Sequence, residues 1–263
     1  MDLGVKDRGY LVVGGTQGMG LATAKVLAAE GAKVAIAARN PERTKATAEA
    51  IAAETGAVVI PFACDANDGD ATEAMVGQAV DALGGLAGVC VTASGGVTAP
   101  AGRDAAWTSM LETVLMGTVH TVDSALPHLL EAGGGTIVTT SAYSTRDPHG
   151  VRLQYTAFKS AVATYTKTIA KEYGPKGIRA NCVAPGAVES EAMHAMRGQV
   201  AKEKGWPYEE AIERVMIEEW HMEVALRRPG QPHEVGDLMA FLLSDRAAYL
   251  TGAHINIDGG TNF

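Results

Sequence analysis

Tyr155 and Lys159 stand four residues apart in the run Tyr155-Thr156-Ala157-Phe158-Lys159. If that run is helical, the phenol and the ammonium share a face, one turn apart. A phenol with its ordinary pKa of about 10 is a poor acid or base at neutral pH. A fixed positive charge beside it favours the phenolate and draws that pKa towards the working range, so the pair could pass a proton to or from an oxygen. The same spacing also occurs on exposed helix faces that do no chemistry. The remaining elements have to supply the reason for it.

The first candidate for such a reason is near the start of the chain. Gly9 to Val13 reads as a short apolar strand, Leu21 to Glu30 as a helix stopped by Gly31, and between them lies Gly14-Gly15-Thr16-Gln17-Gly18-Met19-Gly20. Glycines at a strand-to-helix turn let a diphosphate approach the backbone, and the helix N-terminus offers its free N–H groups to the charge. The spacing through Gly14, Gly18 and Gly20 is G-x-x-x-G-x-G. Thr16, Gln17 and Met19 would line the same turn. Ala32 to Ala38 reads as a second strand ending at Arg39, with Pro41 opening the next helix. An acidic residue at that strand tip would bind a ribose 2'-hydroxyl, whereas Ala38-Arg39 leaves room and positive charge for a 2'-phosphate. That favours NADP(H) over NAD(H) and speaks against an S-adenosylmethionine enzyme; the bland alternative is a solvated strand-end charge. After a third apolar run, Ala57 to Ala63, Asp65 could accept from an adenine amino group or, with Asp68, form a plain turn and cap.

The pattern then repeats. Leu86 to Ala93 is a fourth strand before Ser94-Gly95-Gly96, Asp104 to Leu130 a long helix that Pro127 should kink or break, and Thr136 to Ser141 a β-branched fifth strand. A polar segment, Ala142 to Gln154, precedes the helix of Tyr155 and Lys159. Ile178 to Val183 is a sixth strand, Ala187 to Leu226 an insertion rich in Met and Trp, Glu234 to Ser244 a last helix, and Ala253 to Ile257 a last strand. Alternating strands and helices predict an α/β fold, a doubly wound parallel sheet of about seven strands with helices on both faces. At 263 residues and 47% hydrophobic content, residues 1–263 should form a single domain. A net charge of -8 without a basic run argues against nucleic-acid or anionic-membrane partners. Residues 1–8 lack the apolar core of a signal peptide and no apolar run reaches membrane-spanning length, so a cytoplasmic location is expected. Cys64, Cys90 and Cys182 lack metal or redox spacing and read as reduced thiols; no metal site is expected.

Taken together, these residues resemble the single-domain short-chain dehydrogenase/reductase family. The resemblance rests on the glycine turn, Tyr155-x-x-x-Lys159, Asn181-Cys182-Val183-Ala184-Pro185-Gly186 and Asp258-Gly259-Gly260, in that order at the expected strand ends. It implies a Rossmann-like NAD(P)-binding fold, with Tyr155 as the acid that protonates a carbonyl oxygen or the base in reverse. Lys159 would lower the tyrosine's pKa and hold the nicotinamide ribose. Pro185, Gly186 and Val188 would run beside the nicotinamide, Ser190 would meet its amide, and Asp65 and Ala66 the adenine. A homotetramer or homodimer is also implied, with interfaces on Asp104 to Leu130 and Arg152 to Tyr173.

The sequence departs from the family pattern at four places. Thr92-Ala93-Ser94-Gly95 replaces Asn-Asn-Ala-Gly, and Val13 replaces a threonine at the head of the glycine motif. Val114 stands where the family often has the asparagine of a water relay to the lysine. The substrate-steadying serine falls in ungapped register on Ala142; Ser141 just before it is the candidate, with Ser144 close behind. The expected activity is hydride transfer between NADP(H) and a carbonyl or secondary alcohol, with Tyr155, Lys159 and Ser141 catalytic. The alternative, favoured by Val114 and Ala142, is a dinucleotide-binding sensor or assembly partner. The substrate pocket should be bounded by Ser94 to Arg103, Tyr143 to Leu153 and, within a substrate-covering helical insertion around 187–226, the stretch from Val188 to about Trp220. The insertion's Met193, Met196, Met216, Met222, Trp206 and Trp220 would suit a bulky apolar substrate or simply pack. Arg146, His149 and Arg152 could meet an acidic group or be ordinary loop residues.

Overall fold

The computed structural model describes residues 2–94, 103–148, 152–220 and 222–261. Gly95, Gly96 and His149 therefore lie outside the described residues, as does most of the pocket boundary expected between Ser94 and Arg103. Seven parallel strands form one sheet in the order β3-β2-β1-β4-β5-β6-β7. They are β1 (Gly9–Val13), β2 (Lys33–Ala38), β3 (Val59–Ala63), β4 (Gly88–Val91), β5 (Gly135–Thr140), β6 (Ile178–Pro185) and β7 (His254–Ile257). The chain winds outwards from β1 through β2 to β3, then returns to β4 on the other side of β1. That reversal leaves a crevice at the carboxyl ends of β1 and β4, where ligands bind in sheets of this kind.

Both faces of the sheet are covered, so the strands are apolar on both sides. Tyr10 and Val12 join Val34, Ile36 and Val138 in the core on one face, under the helices α1 (Gly18–Ala29), α2 (Pro41–Thr55) and α9 (Pro232–Leu243). Leu11 and Val13, pointing the other way, join Val89, Val91 and Ile137 under α3 (Gly69–Leu83), α5 (Gly117–Glu131) and α6 (Leu153–Tyr173). Each fully buried side chain of this size contributes about 1.5–3 kcal/mol. On the first face α1 and α9 touch backbone to backbone: a Cβ on Gly236 would lie 2.6 Å from the Cβ of Ala22 and 2.8 Å from its carbonyl carbon. Small residues at that crossing let α1 and α9 approach this closely.

Two local expectations fail for identifiable reasons. The fourth strand is shorter than Leu86 to Ala93, because the amides of Thr92 and Ala93 both turn to the Val13 carbonyl (2.9 and 3.1 Å) and the ladder ends at Val91. Pro127 does not break its helix; α5 runs through it to Glu131, held by buried Val122, Ala125, Leu126 and Leu129. The irregularity comes earlier, where Leu111–Met116 is π-helical between α4 (Arg103–Met110) and α5. The insertion folds as α7 (Glu191–Lys204) and α8 (Ala211–Glu218), which are joined by Arg197. Its guanidinium bonds the buried Glu189 carboxylate and, at 2.8 and 3.0 Å, that of Glu213. Among the described residues, no helix is long and apolar enough to cross a membrane.

Candidate active site

A cavity of about 590 Å³ opens at the crevice between β1 and β4. Its floor is the glycine turn. Gly14 has φ +90°, and a Cβ there would fall 2.5 Å from the Thr92 hydroxyl; one on Gly20 would fall 2.3 Å from the Gly14 carbonyl oxygen. Only glycine lets the turn fold this tightly. Thr92, which replaces the family's asparagine, bonds back to this turn through the carbonyls of Val13 (3.1 Å) and Gly14 (3.3 Å). A Cβ on Gly18 would meet nothing, so the cavity is open at the start of α1. Gln17 gives that helix no side-chain cap, unlike Asn40, Asp68 and Ser190 at α2, α3 and α7. An uncapped, unobstructed helix N-terminus over a glycine floor fits a diphosphate.

Gly14, Thr16, Gln17, Gly18, Met19, Gly20, Arg39, Asp65 and Ala66 all line this cavity. Arg39 is exposed at the tip of β2. Asp65 also accepts from the amide of Asn67 (3.1 Å), so it serves the turn as well as the wall. Sequence reasoning missed Arg43, at the third position of α2, which reaches across to Glu191 at the head of α7 (2.5 Å). A cation one turn beyond a strand-end arginine was the available signal. Thr113 is a second omission on the same wall.

A further cavity of about 420 Å³ shares Met19, Thr92, Ser94, Val188 and Ser190 with the first, so the two are continuous. It is lined by Ser141, Tyr155, Lys159, Pro185 and Gly186 from the ends of β5 and β6 and the start of α6. The Lys159 ammonium lies 5.6 Å from the centre of the Tyr155 ring and donates to the Thr140 carbonyl (2.9 Å). Here the structure reverses one expectation. Burial pushes the Tyr155 phenol up to about 12, and the charge that opposes this most is the Arg152 guanidinium rather than Lys159. Lys159 is itself buried and is drawn down to about 8, so it is a weaker fixed cation than its type suggests.

The serine candidates are brought to the site but turned to other work. The Ser141 hydroxyl donates to the Lys159 carbonyl (2.9 Å), and Ser144 accepts from the Thr156 hydroxyl (3.0 Å). Both tie the loop after β5 to α6, while Ala142 between them offers the cavity only a methyl group. Val114 is buried within the π-helical turn and has no polar atom with which to hold a relay water. Ser190 caps α7 by accepting from the Met193 amide (3.1 Å) while lining both cavities.

The insertion's apolar residues divide. Met193, Trp220 and Met222 face the cavity, whereas Ile212, Met216 and Met196 pack behind them. Trp206 is elsewhere, under the charges of Lys204 and Arg214. Arg152 lines this cavity and Arg146 does not; His149 lies outside the described residues.

A doubly wound sheet, a glycine-floored crevice at its switch point and a tyrosine and lysine on the adjoining cavity define a dinucleotide-dependent oxidoreductase. The family model described as enoyl-(acyl carrier protein) reductase matches residues 13–262. A probable 2,4-dienoyl-CoA reductase of Bacillus subtilis (strain 168) is 32% identical over 260 residues, covering 97% of each chain. The trans-4-hydroxycyclohexanecarboxylate dehydrogenase of Sinomonas cyclohexanicum is 33% identical over 264 residues, 97% of this chain and 93% of that one. The crystal structure of L-sorbose reductase from Gluconobacter frateurii, complexed with NADPH and L-sorbose, is similar with a TM-score of 0.91 at 25% identity, covering 99% of this chain and 98% of that one. The chain belongs to the short-chain dehydrogenase/reductase family of oxidoreductases, whose cofactor is a nicotinamide dinucleotide and whose substrates are small molecules.

Proposed function

We propose that the protein interconverts a carbonyl compound and a secondary alcohol with NADP(H), Tyr155 passing the proton. The observation that carries this reading is the Tyr155/Lys159 pair on a cavity continuous with the nucleotide crevice. The bound nicotinamide would supply or accept the hydride. Tyr155, kept protonated by burial, is suited to donate to the oxygen of a carbonyl being reduced. Lys159 lies one helical turn away and, drawn down to about 8, can exchange a proton near neutral pH. Ser141 can reach a substrate oxygen only by giving up its bond to the Lys159 carbonyl, so its first role is to position α6.

Arg39 and Arg43 at the ribose end, with no carboxylate at the tip of β2, favour the 2'-phosphate of NADP(H). Pro185, Gly186, Val188 and Ser190 are assigned to the nicotinamide half, a reading supported by their lining the cavity that holds Tyr155. The similar proteins named above are a probable dienoyl-CoA reductase, a hydroxycyclohexanecarboxylate dehydrogenase and a sorbose reductase, which leaves the substrate class to this chain's own pocket. The test is NADPH oxidation by wild type and Tyr155→Phe, side by side, against ketones, aldehydes and 3-oxoacyl thioesters. Turnover confined to wild type bears the reading out. Equal turnover in the variant removes Tyr155 from the mechanism. NADPH binding without turnover in either protein would favour the sensor reading that Ala142 and Val114 suggest.

A further inference from the structure

The arginines of this chain divide by how their charge is met. Arg8, Arg43, Arg197, Arg214 and Arg228 each pair with a carboxylate, and Arg179 donates to the carbonyls of Leu242, Ser244 and Leu250. Arg152 is different. Among the described residues no carboxylate pairs with it, and its hydrogen bond is to a neutral partner, the Tyr143 hydroxyl, at 2.7 Å. The guanidinium lies over two aromatic rings, 5.6 Å from the centre of Tyr143 and 5.9 Å from that of Trp220. It is half-buried in the wall of the cavity that contains Tyr155.

We propose that Arg152 is the anchor for a carboxylate on the substrate, so that the protein acts on small oxo acids or hydroxy acids. This rests on the oxidoreductase reading above. A guanidinium has five N–H donors in one plane, and one bond to Tyr143 leaves a fork free for a planar anion. Contact with the Tyr143 and Trp220 rings and the bond to Tyr143 restrain the guanidinium before substrate arrives, which lowers the ordering cost of binding. Charge count selects a monoanion. Among the described residues, the other cation lining this cavity, Lys159, is held at the Thr140 carbonyl beside Tyr155, so one guanidinium without a carboxylate partner remains there to meet the substrate's charge. The remaining wall there, Met193, Met222 and Trp220, suits an apolar ring or short chain between the two polar ends.

Position reinforces chemistry. Arg152 is the residue before α6 begins and Tyr155 lies on the first turn of that helix, so the anchor and the proton donor are set on one rigid element. The Arg152 charge is also the strongest influence opposing the rise of the Tyr155 pKa, which places the two groups within electrostatic reach across the cavity. A substrate carboxylate on Arg152 would thus bring a carbonyl elsewhere in the same molecule to the phenol. Tyr143 is available as a second donor, because its own proton goes only to the Met222 sulfur (3.0 Å), a weak acceptor.

The test compares 4-oxocyclohexanecarboxylate, its methyl ester and 4-methylcyclohexanone as substrates with NADPH, and titrates unreactive cyclohexanecarboxylate onto the protein–NADPH complex by calorimetry. Wild type should prefer the acid to the ester in kcat/KM, and Arg152→Gln should cut that preference about ten- to a hundredfold, chiefly through KM. Arg152→Lys should recover part of it. NADPH affinity, followed by fluorescence, reports whether each variant is folded. Equal wild-type rates for acid and ester, or an unchanged ratio in Arg152→Gln, would overturn the anchor while leaving the oxidoreductase intact. Carboxylate binding that needs Arg152, with no turnover of any ketone, would instead retain the anchor and overturn the reductase reading.

Discussion

The two halves of the crevice are built from different materials. The nucleotide half is made of backbone: glycines at a strand end, an uncapped helix terminus, and residues whose main quality is that they are small. The substrate half is made of large side chains, Tyr143, Arg152, Trp220 and Met222, drawn from a loop and an insertion that meet only in three dimensions. A ligand held by backbone is a ligand every member of a fold can share. A ligand held by side chains is particular to one chain, which is why fold alone carries no substrate.

The sharpest break of this contrast is chemical. Tyr155→Phe removes one oxygen from the substrate half and should cost turnover about a hundred- to ten-thousandfold, with NADPH titrations unchanged. On the backbone half, Gly20→Ala sets a methyl against the Gly14 carbonyl and the Thr92 hydroxyl. It should lower stability by about 1–3 kcal/mol, seen as a fall in Tm, and weaken NADPH binding as the turn opens. Arg39→Asp tests a side chain on the nucleotide half; the NADPH-to-NADH preference should fall about tenfold or more in kcat/KM, and an unmoved ratio would make Arg39 a solvated charge. The pH response follows from the two buried groups. With Lys159 near 8 and Tyr155 near 12, reduction should be level below pH about 8 and decline above it as the ammonium is lost, while alcohol oxidation, which needs scarce phenolate, should rise. Rates in both directions across that range decide it. The smallest change is Thr92→Val, which removes the bond from β4 to the glycine turn and should cost about 1 kcal/mol in denaturant melts.

The same contrast explains what could be read in advance. The alternation of strands and helices, the glycine floor and the Tyr155/Lys159 pair were legible because each depends on local pattern: apolar runs, turn residues, a four-residue spacing. Arg39 was legible for the same reason. Arg43, one helical turn beyond Arg39, was not, because its pairing with Glu191 links distant segments. The direction of the Tyr155 shift was misjudged since adjacency to a lysine is visible in sequence and depth of burial is not. Ser141 was found by register, but its commitment to the Lys159 carbonyl depends on how β5 meets α6. The insertion's methionines and tryptophans could not be sorted into lining and packing until α7 and α8 were placed.

The contact of Gly236 with Ala22 has a consequence for how the protein comes into being. The helix whose N-terminus faces the crevice docks on a surface about two hundred residues further along the sequence. The glycine turn is therefore braced by a contact of high sequence separation, of the kind that closes late in folding.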